Sequence, residues 1–176
     1  MSKHFRIVIF TLTALLLASC ASKKEATANK ATMTWQYEIE PTTGQATQGS
    51  ILVKVWSYSG SKGVARTLAG KNAVHGVLFK GVAALNEQNA RVPQQKPIVT
   101  DVNAEETHKE FLNEFFKDDG KYMKYVNFIN NGIPAPGDII KVGPRYKVGV
   151  RVSVAKDALR KEMEAAGIIK PLGAGF

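Results

Sequence analysis

The chain has 176 residues, a formal net charge of +9 and a single cysteine, Cys20. One cysteine excludes any disulfide within the chain and any cysteine-based metal cluster, so the fold has to rest on its apolar core. The roughly 140 residues that follow the N-terminal segment are enough for such a core in one domain.

The N-terminus carries Lys3 and Arg6, then an uncharged apolar run from Ile7 to Ala18, then Ser19 and Cys20. This is the three-part pattern of a signal peptide over residues 1–19, and an apolar run of about a dozen residues is too short to span a hydrocarbon core about 30 Å thick. Leu17-Ala18-Ser19-Cys20 resembles the lipobox of bacterial lipoproteins, in which a branched residue and two small ones precede the cysteine. That resemblance implies cleavage before Cys20, a diacylglyceryl group on its sulfur and a further acyl group on the new amino terminus; plain secretion is the alternative. At about 0.8 kcal/mol per buried CH₂, several acyl chains anchor a protein stably where one is marginal. Residue 21 is alanine, not the aspartate that retains enterobacterial lipoproteins at the inner membrane, which favours the outer membrane. The segment Ala21-Ser22-Lys23-Lys24-Glu25 lacks the acidic cluster of surface-exported Bacteroidetes lipoproteins, which favours its periplasmic face. Residues 20–33 read as the lipidated cysteine and a flexible tether with a reach of roughly 20 Å. Residues 34–176 read as one domain, and loss of Lys3 and Arg6 leaves 22 basic against 15 acidic residues.

Within that domain the alternation of Trp35, Tyr37 and Ile39 with Gln36, Glu38 and Glu40 predicts a half-buried strand. A second strand is expected over Ile51 to Tyr58, where Leu52 and Trp56 make both faces partly apolar and suggest a central position. Ala65, Leu68, Ala69, Ala73 and Val77 follow at helical spacing, with small residues that permit close approach to a sheet. A loop is expected from Ala84 to Val99, around Pro93 and Pro97. A second helix is expected over Ala104 to Asp118, with an apolar side of Val102, Phe111, Leu112, Phe115 and Phe116, and a strand over Tyr122 to Ile129. Ile139 to Val142 and Tyr146 to Val154 flank Gly143-Pro144 as a hairpin with one buried face. Ala155 to Ala166 forms a last amphipathic helix on Leu159 and Met163, stopped by Gly167. The order predicts an α+β fold, a two-layer sandwich with helices packed on one side of a largely antiparallel sheet; a mixed sheet is the alternative.

The residues with chemical potential are few, and the chain reads as no enzyme and as needing no cofactor or metal. His75 and His108 each lie on a predicted helix, outside any metal-ligand spacing, and read as packing or boundary residues before general bases. A hydrolase would require a pocket that brings one of them to a carboxylate. Gly76 to Val82 has spaced glycines but puts valine where a phosphate loop needs lysine. Glu105, Glu106, Glu110 and Glu114 read as a solvated helix face. Tyr122, Tyr125, Phe128 and Trp56 could line a groove, though core packing is the plainer role. Arg145, Lys147 and Arg151 share one side of the valine-rich strand and could bind an anionic envelope ligand such as a lipid phosphate, lipopolysaccharide or polymer; a charged, solvated sheet face is the plainer reading. Nucleic acid is a poor candidate outside the cytoplasm, and aromatics are not interleaved with this basic stripe as they would be on a base-stacking platform.

Four runs carry a wider resemblance: Leu52-Val53-Lys54-Val55-Trp56-Ser57-Tyr58-Ser59, Lys71 to Gly81, Gly120 to Val126, and Tyr146-Lys147-Val148-Gly149-Val150. Together they resemble a family of uncharacterised Bacteroidetes lipoproteins, which implies an anchored envelope protein and supplies no catalytic residues. In form alone, the alanine-rich helix after a strand and the valine strand leading into a helix are similar to small flagellar-accessory and curli-secretion envelope assembly domains. These features together predict an accessory or structural component of an outer-membrane or secretion assembly, with a membrane contact through Cys20 and an envelope protein partner.

Overall fold

The structure is a computed structural model that describes residues 35–64, 66–87 and 90–173. The signal segment, Cys20, the tether and residues 174–176 of the C-terminal tail lie outside the described residues. The body that holds every element below runs from Gln36 to Phe176.

In chain order the elements are β1 (Tyr37–Pro41), β2 (Ile51–Ser59), α1 (Arg66–His75) continued by a π-helical turn (Gly76–Lys80), β3 (Leu85–Glu87), β4 (Ala90–Val92), α2 (Ala104–Thr107), α3 (Lys109–Phe115), a 3₁₀ turn (Lys121–Tyr125), β5 (Val126–Phe128), β6 (Ile139–Val142), β7 (Arg145–Val154) and α4 (Lys156–Ala165). The fold is α+β. The main sheet runs β1-β2-β7-β5, with β6 also on β7, and every pairing in it is antiparallel. β2 is central, as its two partly apolar faces predict.

Registration of β2 on β7 puts Val53 opposite Val152 and Val55 opposite Val150. Val53, Val55, Val148, Val150, Val152 and Val154 are all essentially fully buried. Branched side chains suit this pleated surface, and each fully buried valine stabilises the fold by roughly 1.5 kcal/mol or more.

α1 packs on this face. The spacing predicts an amphipathic helix, but every residue from Leu68 to His75 is buried. The sheet covers one side of it and the 3₁₀ turn the other. Small residues allow this sandwiching: a Cβ on Gly70 would lie 3.2 Å from Phe128 Cζ and 3.5 Å from Tyr122 Cε2. The polar residues of a helix buried all round must then find partners within the protein. Lys71 Nζ donates to Asp118 Oδ1 at 2.6 Å, and Asn72 Nδ2 donates to Ser57 Oγ at 2.9 Å.

Four elements differ from their prediction. The expected strand Tyr122 to Ile129 is a 3₁₀ turn followed by only three strand residues. In the 3₁₀ turn Tyr122 and Tyr125, three apart, project together. Tyr122 is buried beside Phe116 at 5.9 Å between ring centroids, and Tyr125 stacks on Phe115 at 6.0 Å. The second helix breaks at His108, whose φ of −111° and ψ of 27° are not helical, and Val102, expected on its apolar side, precedes the helix and is 92% exposed. The expected loop over Ala84 to Val99 contains the β3–β4 pairing. The first of the C-terminal hairpin strands, β6, is exposed along its whole length, with no residue on either face fully buried. β7 turns Val148, Val150, Val152 and Val154 inward as its alternation predicts, although Gly149 and Ser153 on its other face are buried too, and the β6–β7 turn has Gly143 at φ +57° ahead of Pro144, the arrangement of a Gly-first hairpin turn. α4 ends as predicted. Gly167 sits at φ +70°, its N–H reaches Glu164 O, and the N–H of the buried Ile168 reaches Met163 O at 3.0 Å.

Candidate functional site

The most connected polar group in the interior joins β1, the end of α1 and the start of α2. Tyr37 Oη lies 2.6 Å from His75 Nδ1, and His75 Nε2 lies 2.9 Å from Glu105 Oε1. His75 is 3% exposed and Tyr37 6%, whereas the Glu105 side chain is half exposed. A carboxylate only accepts, so the imidazole proton sits on Nε2 and Nδ1 accepts the Tyr37 hydroxyl proton. Burial drives the His75 pKa down to about 4 against the opposing pull of the Glu105 carboxylate. The Tyr37 phenol is pushed far above its ordinary range, first by burial and then by Glu105. Both groups are therefore neutral at ordinary pH.

The backbone around this group is unusual. His75 is the last α-helical residue before the π-helical turn, a rare geometry that often accompanies functional sites. Gly76 lets β1 press against the turn, since a Cβ there would lie 2.6 Å from Ile39 Cδ1. Lys80, at the end of the turn, rests over the Tyr37 ring with Nζ 3.7 Å from the centroid. Its pKa is lowered, chiefly by burial. Phe79 and Phe116 flank the imidazole at 5.0 and 6.1 Å between centroids.

The histidine–carboxylate pairing that a hydrolase would require is thus present. Its setting differs from that of a general base: both ring nitrogens are engaged and the ring is inaccessible. The arrangement clamps three elements together and forms a hydrogen-bonded chain from the core phenol to a carboxylate at the surface. Among the described residues, no group of three His, Cys, Asp or Glu side chains could hold a metal ion, and no helix is long and apolar enough to cross a membrane.

Comparison with known proteins finds no matching family model, curated protein or solved structure. The chemistry is carried by the residues alone.

The other candidates fall into place around this group. His108 stands at the kink between α2 and α3, and Glu106, Glu110 and Glu114 are solvated, Glu114 pairing with Lys117. Gly76 to Lys80 is the π-helical turn. Trp56 lies on the face of the sheet opposite Tyr122 and Phe128, so these aromatics line no common groove.

Arg145, Lys147 and Arg151 do share the outer sheet face, but acids are interleaved with them. Lys147 Nζ donates to Glu38 Oε2 at 2.7 Å, and the neighbouring Lys54 donates to Asp138 Oδ1 at 2.9 Å. Trp56 Nε1 donates to Glu40 Oε1 at 2.7 Å. The Trp56 ring lies on Gly149, where a Cβ would come within 3.0 Å of it, and Lys54 and Lys147 both stand 5.2 Å from its centroid. Arg145 stacks over Tyr58 at 5.1 Å. Aromatics are thus interleaved with the bases after all, supplied by the adjacent strand, which reading β7 by itself could not reveal. Among the described residues, Arg151 is the one member of the stripe without a hydrogen bond, ion pair or ring contact.

One further surface was missed at the sequence level. Ile139, Ile140 and Val142 of β6 are 39, 44 and 44% exposed, and Ile133, in the segment leading to β6, is 65% exposed. The available signal was an aliphatic run without alternation, Ile139-Ile140-Lys141-Val142, which does not fit a strand with one polar face.

Proposed function

We propose that the chain is a lipid-anchored envelope lipoprotein that serves as a non-enzymatic accessory or structural component of an outer-membrane or secretion assembly. The anchor would be Cys20, on the periplasmic face of the outer membrane, and the working part a protein-docking surface on the α+β body. The observation that carries the reading is β6: an aliphatic strand left bare at a sheet edge is a surface built for a partner or a hazard to be guarded against. The signal segment, the lipobox and the quoted likeness to Bacteroidetes lipoproteins support the anchored half of the proposal.

Binding of an anionic envelope ligand through Arg145, Lys147 and Arg151 is less well supported, because Glu38, Glu40 and Asp138 neutralise most of that face. Crosslinked capture from native membranes with a C-terminal tag tests the proposal, with Cys20→Ala as the unanchored control. A defined set of envelope proteins retained only with Cys20 intact is expected. A chain that captures nothing in either form would refute it.

A further inference from the structure

We infer that β6 binds an extended segment of a partner protein as an added strand, one whose side chains alternate apolar and acidic. This rests on the docking role proposed above and names its mode and partner chemistry.

β7 is paired over Tyr146 to Val154 with β2 on one side, and on the other with β6 over Arg145 to Val148 and with β5 over Val152 to Val154. β6 pairs only with β7, so its second edge is unpaired among the described residues. The parity of that edge follows from one bond: Gly149 N–H donates to Asp138 C=O at 2.8 Å. Backbone groups alternate direction along an antiparallel strand, so Ile140 and Val142 turn theirs toward β7, as Asp138 does. Ile139 and Lys141 therefore present their N–H and C=O outward, a template that only another extended backbone satisfies.

The side chains specify the rest. Ile140 and Val142 project on the outer face beside Lys147 and Arg145, their registered partners. Lys141 projects on the other face, opposite Tyr146, and has no ion pair among the described residues. An incoming strand gains most with an apolar residue against Ile140 and an acidic one against Lys141. Charge also argues against a second copy as occupant. β6 carries one cation and no anion, and the chain without its signal segment keeps 22 basic against 15 acidic residues, so self-pairing brings like charges together.

Proline at Lys141 separates the docking edge from the fold. Its N–H makes no bond to β7, so Lys141→Pro keeps the hairpin while deleting an outward donor. Lys141→Glu keeps the backbone edge and reverses the charge. The assay is fluorescence anisotropy of the full chain in detergent with labelled peptides of about eight residues, alternating valine with glutamate or valine with lysine. Wild type is expected to bind the valine–glutamate peptide and slow hydrogen exchange at the Ile139 and Lys141 amides. Binding should fall about tenfold or more in both variants. No binding by wild type, equal binding in Lys141→Pro, preference for the lysine peptide, or protection elsewhere would each overturn the inference. So would a wild-type dimer in sedimentation that Lys141→Pro dissociates, since the occupant would then be a second copy. Membrane capture is scored separately: a partner still captured by Lys141→Pro removes this mode and leaves the proposed function standing, whereas no captured partner removes the function itself.

Discussion

Replacing His75 by glutamine, which does not titrate, isolates one proton-linked contribution to stability. In the folded chain the His75 pKa is lowered to about 4 by burial, against about 6.5 in an unfolded chain. Above pH 6.5 the imidazole is neutral in both states and the linkage contributes nothing adverse. As the pH falls from 6.5 toward 4 the unfolded state takes up a proton that the folded state refuses, so stability is lost across that window. At about 1.36 kcal/mol per pKa unit, the loss is roughly 2 kcal/mol by pH 5 and roughly 3 kcal/mol by pH 4. Urea unfolding followed by tryptophan fluorescence at pH 7.5, 6 and 5 measures it for wild type and His75→Gln. The variant should start less stable at pH 7.5 by about 1–3 kcal/mol, having lost the Tyr37 and Glu105 bonds. The gap should then narrow on acidification by about the linkage energy. Parallel pH dependence in the two proteins, or a His75 titration near 6.5 by NMR, would refute the burial argument.

Other substitutions test other parts of the structure. Asp118→Asn should cost about 3 kcal/mol by stranding the buried Lys71 cation, whereas Lys71→Met leaves only a partly exposed carboxylate and should be near neutral in the same unfolding assay. Gly81→Ala should lower stability by about 2 kcal/mol or more, because Gly81 has φ +72° and a Cβ there would meet Gln95 O at 2.5 Å; thermal melts read the loss. Joint charge reversal of Arg145, Lys147 and Arg151 should leave sedimentation with anionic phospholipid vesicles unchanged in a Cys20→Ala background. A large loss of sedimentation would restore the anionic-ligand reading.

Local periodicity was sufficient wherever an element's pattern and its surroundings agree. β7 alternates because one face lies on the valine core, α4 is amphipathic because only Leu159 and Met163 face inward, and Gly143 and Gly167 mark turns that need positive φ. The expected α+β class follows from such elements. Tertiary structure decided what depends on residues far apart in the chain. No spacing links Tyr37, His75 and Glu105, and a histidine beside an apolar helix face was the one hint of their meeting. Lys147 meets Glu38 across 109 residues, which turns an apparent basic stripe into a mixed face. Tyr122 and Tyr125 have strand propensity, yet packing against Phe116 and Phe115 holds them in a 3₁₀ turn. The bareness of β6 was equally invisible, because a strand's exposure depends on what the rest of the fold places beside it. Side-chain period is a property of a segment, whereas pairing and burial are properties of the closed fold.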